Sequence, residues 1–298
     1  MNKVFFIAEI GVNHNGKLNE AYKLIDEAKN CGADAVKFQT YITNELVSNS
    51  APLAIHHKKN IGKNKSHYSI LKELELSFED FKKLKKYTKK NKLKFISTPY
   101  DINSLNFLIN LNVDFIKFAS SELSNFPMLN IARKSNLPII ISTGMSTLSE
   151  VRETIKFILE KNNRLTVLKC TSSYPTSIDN VNLKNLVTLK KFFKNKINYG
   201  FSDHTLGSVA AISSLKYGVK FIEKHFTLNR RAYGPDHKAS MNPKELKKYI
   251  RDINNSIKAD GSSEWKINKE EIKQKETMRK GCYARYDLKK GRILRDKD

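Results

Sequence analysis

The sequence predicts a (β/α)8 barrel with a short C-terminal extension. Eight short apolar runs, rich in Val, Ile and Phe, lie between residues 4 and 228, and each closes in a small polar cluster. Between the runs come stretches with helical apolar spacing, such as Ala21, Leu24, Ile25 and Ala28, or Phe81, Leu84 and Tyr87. Strand alternating with helix eight times is the pattern of a closed parallel barrel, with a doubly wound open sheet as the alternative. The length of 298 residues suits one barrel of roughly 250 residues plus a tail, and leaves no room for a second full domain.

The runs cover residues 4–11, 35–41, 94–100, 115–122, 138–145, 165–175, 197–205 and 221–228. Parallel strands need long crossovers, and a closed ring brings every strand's C-terminal end to one face, so the polar residues ending these runs share one mouth. NHNG, residues 13–16, is a turn signal that starts the first helix. The longest irregular segment, residues 42–68, holds Pro52, Gly62 and three histidines; a loop this long beside a barrel mouth reads as a lid or substrate loop. His56, His57 and His67 are expected to be solvated there rather than ligands. After the eighth run follow a loop, residues 229–243, an amphipathic helix near 244–257, and a basic tail from Asp260. The barrel domain is thus assigned to residues 1–258 and the extension to 259–298, where CYARYDLKKGRIL reads as a hairpin with a Lys-Gly turn.

The net charge of +24 comes from 44 Lys and 10 Arg against 30 acidic residues. Lysines spread over most helices, with few arginines, describe solvated helix faces rather than a nucleic-acid surface, and no nucleic-acid partner is expected. The densest run is KKLKKYTKKNK, residues 82–92. Cys31, Cys170 and Cys282 are odd in number and lack CxxC spacing, which argues against a disulfide framework or zinc knuckle and for a reducing cytoplasm. The apolar start, interrupted at Glu9, is too short for a signal segment or membrane span, so no membrane partner is expected.

The strand ends carry the chemistry. His204 and His225 close neighbouring runs, within reach of one divalent ion; two protein ligands would leave an open site suited to a Lewis acid. Lys37 and Lys117 interrupt apolar strands, where a buried ammonium needs an anionic partner, expected to be an anionic ligand. Thr98, Ser120, Ser142 and Ser202 add hydroxyl donors to a cradle for phosphate and carboxylate. Glu9, Glu122 and Asp236 are the acid and base candidates.

Taken in order, AEIGVNHNG, GADAVKFQT, FISTPYD, IKFASSE, IISTGM, CTSSYP, GFSDHT, EKHFT and GPDHKAS resemble the sialic acid synthase family over residues 4 to about 258. The resemblance implies a (β/α)8 barrel, a divalent cation (manganese or magnesium) and a domain-swapped homodimer. It implies condensation of phosphoenolpyruvate with an N-acylated hexosamine, either N-acetylmannosamine or a diacetylated deoxyhexosamine, to give a nonulosonic acid and phosphate. His204 and His225 match the family's metal ligands, and Lys37, Thr98, Lys117, Ser120, Ser142 and Ser202 match positions that hold phosphoenolpyruvate. Gln39, Glu122, Tyr174 and Asp236 match sugar-side and metal-side positions, and Glu9 the carboxylate that handles a proton or positions water. Ser172 stands where some members carry Asn. Members continue into an antifreeze-like domain whose arginine reaches the partner's site; with the chain stopping at Asp298, the dimer and acyl-sugar binding are expected to be weakened. Other readings are a Schiff-base aldolase using Lys117 or Lys169, and a truncated, non-catalytic barrel that binds sugar or phosphoenolpyruvate.

Overall fold

A computed structural model describes residues 3–48, 50–51 and 66–298. The chain divides into two compact units, Met1–Ala259 and Asp260–Asp298. In the first, strands β1 (Phe5–Gly11), β2 (Ala35–Thr40), β3 (Lys94–Pro99), β4 (Phe115–Phe118), β5 (Ile139–Ser142), β6 (Leu165–Cys170), β7 (Asn198–Asp203) and β8 (Phe221–His225) pair in sequence order. All pairings are parallel, and β1 pairs with β8, which closes the barrel and excludes the open sheet.

Helices follow the strands as the crossover rule requires. They are α1 (Leu18–Cys31), α2 (Thr43–Leu46), α3 (His67–Leu74), α4 (Phe78–Lys90), α5 (Ile102–Asn110) and α6 (Phe126–Lys134), then α7 (Leu148–Leu159), α8 (Asn185–Phe193), α9 (Val209–Leu215) and α10 (Pro243–Asp260). The lysine-dense run lies mostly on α4, which buries Phe81, Leu84 and Thr88 and turns its lysines outwards. A capping box between Ser77 and Asp80 starts α4, and Lys89 and Lys90 sit at the negative end of its dipole. The charge run is therefore a solvated helix face. No helix among the described residues is long and apolar enough to cross a membrane.

Side-chain alternation along the strands sorts the molecule into two cores. Outward residues such as Phe6, Val36, Phe95, Ile116, Ile141 and Ile222 join the helices in the main apolar cluster. Inward residues Ile7, Ala35, Ile96, Ile140 and Leu168 fill the barrel's waist, with Phe5, Phe115 and Phe221 packed against them. The three rings pair at centroid distances of 5.9, 5.2 and 6.1 Å. Filled below by these layers, the barrel is open only at the strands' C-terminal ends.

In the second unit, α11 (Lys269–Met278) is started by a capping box between Asn268 and Glu271. The expected hairpin does not form: residues 281–298 contain a turn at 290–291 but no strand. Tyr283, Ile293 and Leu294 are exposed, so no apolar face supports the pairing, and an unsupported two-stranded hairpin is marginal in water.

Candidate active site

One layer above the apolar waist, the inward positions turn polar. Glu9, Lys37, Thr98, Lys117, Ser142, Cys170, Ser202 and Glu223, one from each strand, are all buried. Lys37 Nζ lies 2.8 Å from Glu9 Oε2 and 3.8 Å from Glu223 Oε2, and donates to Thr98 Oγ1 at 3.3 Å. Lys117 Nζ donates to Ser142 Oγ at 2.6 Å and to the Phe118 carbonyl at 2.9 Å, and lies 3.9 Å from Glu223 Oε1. Ser202 Oγ donates to the same Glu223 oxygen at 3.0 Å. Two ammoniums and two carboxylates thus share one water-poor floor.

Burial in that floor moves the protons. It pushes Glu9 up to about 7, with Glu223 adding to the rise and Lys37 opposing it. Burial raises Glu223 too, but Lys117 and Lys37 outweigh it and hold its carboxyl below the ordinary range. Lys117 is lowered by burial and by Lys37, whereas Glu223 and Glu9 carry Lys37 above its ordinary value against burial. Glu9 is therefore a group on this floor poised to exchange a proton near neutrality.

Above the floor opens a cavity of about 550 Å³. Among its lining residues are Glu9, Lys37, Gln39, Lys117, Ser120, Ser142, Ser172, Tyr174, Ser202, His204, His225 and Asp236. The His204 and His225 ring centroids lie 5.5 Å apart, and the Tyr174 ring lies 4.2 Å from His204, tilted by 36°. His204 Nδ1 sits 2.9 Å from the Thr171 carbonyl, which makes Nδ1 the donor, so Nε2 holds the lone pair in the neutral ring; against burial, Cys170, the Thr171 carbonyl and Glu223 raise its pKa above the ordinary value. Cys170 Sγ is a second neighbour of the same nitrogen at 3.9 Å. Burial pushes Asp236 up to about 6. On the opposite rim, the Gly144 N–H donates to Ser120 Oγ at 3.0 Å, and a Cβ on Gly144 would fall 2.2 Å from Ser172 Oγ. Only glycine lets a backbone donor approach this hydroxyl cluster.

The remaining wall is apolar. Helices α2 and α3, with Val47 just after α2, supply it: Leu46, Val47, Ile70, Leu71 and Leu74 face the cavity, beside Tyr41 and Tyr100. Tyr41 ties α3 down by donating to the Leu71 carbonyl at 3.0 Å. Most of the expected lid, with His56 and His57, lies outside the described residues. His67 departs from the expected solvated loop: it opens α3, is half-buried and lines the cavity.

Several expectations need correction. Lys37 and Lys117 are not left for an anionic ligand alone to neutralise: Glu9 and Glu223 already lie beside them, while both lysines also line the cavity. Glu223 is not among the sequence candidates, although its place two residues before His225, on the same strand face, marks it. Thr98 lies under Lys37 and does not line the cavity. Glu122 does not line it either: β4 ends at Phe118, and the 3-10 turn Ser120–Glu122 points its carboxylate to Asn125 Nδ2 at 2.8 Å. Lys169 faces away from the cavity lining and bonds Thr171 Oγ1 and the Cys170 carbonyl, which removes it as a Schiff-base candidate. On the barrel's outer face, Lys224 Nζ, 3.2 Å from Asp203 Oδ2, also donates to the Thr205 carbonyl, and Tyr249 donates to Asp203 at 2.7 Å. This buried network joins the residues next to His204 and His225. Among the described residues, no group of three His, Cys, Asp or Glu side chains converges as a metal site.

Comparison with known proteins places this geometry. Residues 24–265 match the model of the NeuB family. The chain is 40% identical over 297 residues to the N,N'-diacetyllegionaminic acid synthase of Campylobacter jejuni, covering 99% of this chain and 88% of that protein. It is 32% identical to the human N-acetylneuraminate-9-phosphate synthase, over 97% of this chain and 80% of that one. A solved structure, the N-acetylneuraminic acid (sialic acid) synthetase of Leptospira borgpetersenii in complex with citrate, superposes with a TM-score of 0.77 at 32% identity, covering 94% of each chain.

Proposed function

Because the chain belongs to the NeuB family of sialic acid synthases, we propose that its barrel condenses phosphoenolpyruvate with an N-acylated hexosamine, forming a carbon–carbon bond and releasing phosphate. One observation supports this most: a floor holding Lys37 and Lys117 with the hydroxyls of Ser142 and Ser202 meets an apolar wall in one cavity. A small, highly anionic donor and a neutral, partly apolar acceptor are the substrates such a division suits.

In this reading Lys37 and Lys117 take the phosphate and carboxylate, and Ser120, Ser142 and Ser202 supply hydrogen bonds, with the Gly144 N–H orienting the Ser120 hydroxyl. Tyr174, Gln39 and Asp236 face the acceptor. The enol carbon of phosphoenolpyruvate attacks the aldehyde carbon of the open-chain sugar, and the aldehyde oxygen takes up a proton. Water then adds to the former C2 of phosphoenolpyruvate, and Glu9, with its carboxyl near 7, accepts the water's proton. The C2–oxygen bond of the resulting tetrahedral carbon breaks, leaving a keto acid and inorganic phosphate. His204 and His225 fit a divalent cation, since both rings line the cavity and His204 keeps Nε2 free of its backbone bond. Manganese or magnesium bound there would supply Lewis-acid polarisation of the aldehyde oxygen. The three free cysteines suit a reducing compartment such as the cytoplasm.

Phosphoenolpyruvate carrying ¹⁸O in its bridging position tests the reading, with a panel of acylated hexosamines and with metal added or chelated. The label is expected in the inorganic phosphate. Label retained in the keto acid, or phosphate release that ignores the acceptor, contradicts the proposal.

A further inference from the structure

The NHNG turn does more than start α1. Asn13, buried, donates through Nδ2 to the Phe226 carbonyl at 2.8 Å and to Ser240 Oγ at 2.9 Å. Ser240 Oγ in turn donates to the Asp236 carbonyl at 2.7 Å. Asn15 Nδ2 donates to the Tyr233 carbonyl at 2.9 Å, so its Oδ1 is the acceptor left for His237 Nε2 at 3.2 Å. His237 Nε2 then carries the hydrogen, and Nδ1 accepts the Thr227 hydroxyl at 2.7 Å. The Thr227 hydrogen has two acceptors in reach, His237 Nδ1 at 2.7 Å and the Asn229 carbonyl at 3.3 Å, and the shorter contact continues the chain of bonds from the end of β8 through the imidazole to the turn after β1.

This chain of bonds brackets Asp236. The loop after β8 is pinned at Phe226, Tyr233, His237 and Ser240, and each pin is made by, or leads to, the NHNG turn or Thr227. Asp236 Oδ2 is thereby set beside β1: a Cβ placed on Gly11 would lie 3.6 Å from it and 3.3 Å from both Glu9 Oε1 and Gln39 Nε2. Neither Asn15 nor His237 lines the cavity. We infer that Asn15 and His237 are positioning residues, which clasp the loop after β8 to the turn after β1 and so hold the Asp236 carboxylate at the acceptor side of the site. The inference rests on the synthase reading. Displacing a reacting or orienting group by about 1 Å costs up to roughly a hundredfold in rate, so the clasp's effect should appear in catalysis before it appears in folding.

The test uses the full chain, phosphoenolpyruvate and the acceptor that gives wild-type turnover. Asn15→Ala and His237→Ala are each expected to lower kcat roughly tenfold to a hundredfold and to raise the acceptor KM. Phosphoenolpyruvate affinity, measured by calorimetry, should stay within about twofold, because the lysine floor does not depend on the clasp. His237→Gln, whose amide can still donate to Asn15 Oδ1, should recover much of the loss. Joined to Asp236→Asn, His237→Ala should cost nothing further, since both act through one carboxylate. Losses that multiply in the double variant, or phosphoenolpyruvate binding that falls in parallel, overturn the clasp while the synthase reading stands. A wild-type chain that releases no phosphate with any acceptor overturns both.

Discussion

The floor and the apolar wall of the cavity are built by different means. The floor comes from eight strands whose register fixes each side chain, so Lys37, Lys117, Glu9 and Glu223 sit in a frame tied by backbone hydrogen bonds on both sides. The wall comes from α2 and α3, two short helices inserted between β2 and α4, with Tyr41 anchoring one of them. Charge needs a rigid, desolvated frame, because a buried ion is tolerable only with its partners at fixed distances. An apolar surface asks only for shape, which side chains on an inserted segment can supply. The contrast implies that reaction chemistry resides in the floor and acceptor choice in the wall.

The largest effect is expected from breaking the floor. Lys117→Met removes one of two cations facing the transferred charge and should lower phosphate release by roughly 100- to 1,000-fold, with the circular-dichroism spectrum unchanged. A loss of less than about tenfold would mean that the floor is not the anion cradle.

A smaller effect follows from the Glu9 proton. Its carboxyl is raised to about 7, chiefly by burial, with Glu223, Lys37 and Lys117 facing it. A base is useful only when deprotonated, so kcat/KM should climb as pH rises through about 7 and fall about tenfold per unit below it. The linkage has the opposite sign for folding: the native state holds this proton more tightly than the unfolded chain, so Glu9's contribution to stability is present below the ordinary glutamate range and is lost as pH rises through about 7. Activity and stability should therefore diverge across that window. A Glu9→Gln variant that keeps the acid limb would assign it to another group.

The sequence made the floor legible because period-2 alternation survives in a parallel strand, and a lysine or histidine in an apolar run stands out. Glu223 is less legible because a glutamate beside a lysine reads as a surface pair, although Glu223 and His225 both occupy inward positions of β8. Glu122 departs from the strand-end expectation because the chain leaves β4 at Phe118 for a 3-10 turn, where the period of the strand no longer applies. The wall is not legible for a related reason: no single period links Leu46 to Ile70 across the irregular segment that separates them, so only the fold brings the two to a common surface. The NHNG turn looked generic because its partners lie more than 200 positions away, beyond any local rule.

The division of labour is tested most directly by measuring both substrates on two variants, Lys117→Met and Leu46→Asn. Leu46 is half-buried on α2 and lines the wall, so its replacement by a polar residue of similar size should spare the fold. Calorimetry without acceptor should show phosphoenolpyruvate affinity reduced at least about tenfold in Lys117→Met but within about twofold of wild type in Leu46→Asn, whose acceptor KM should instead rise roughly tenfold. Equal weakening of phosphoenolpyruvate by the two substitutions would contradict the account.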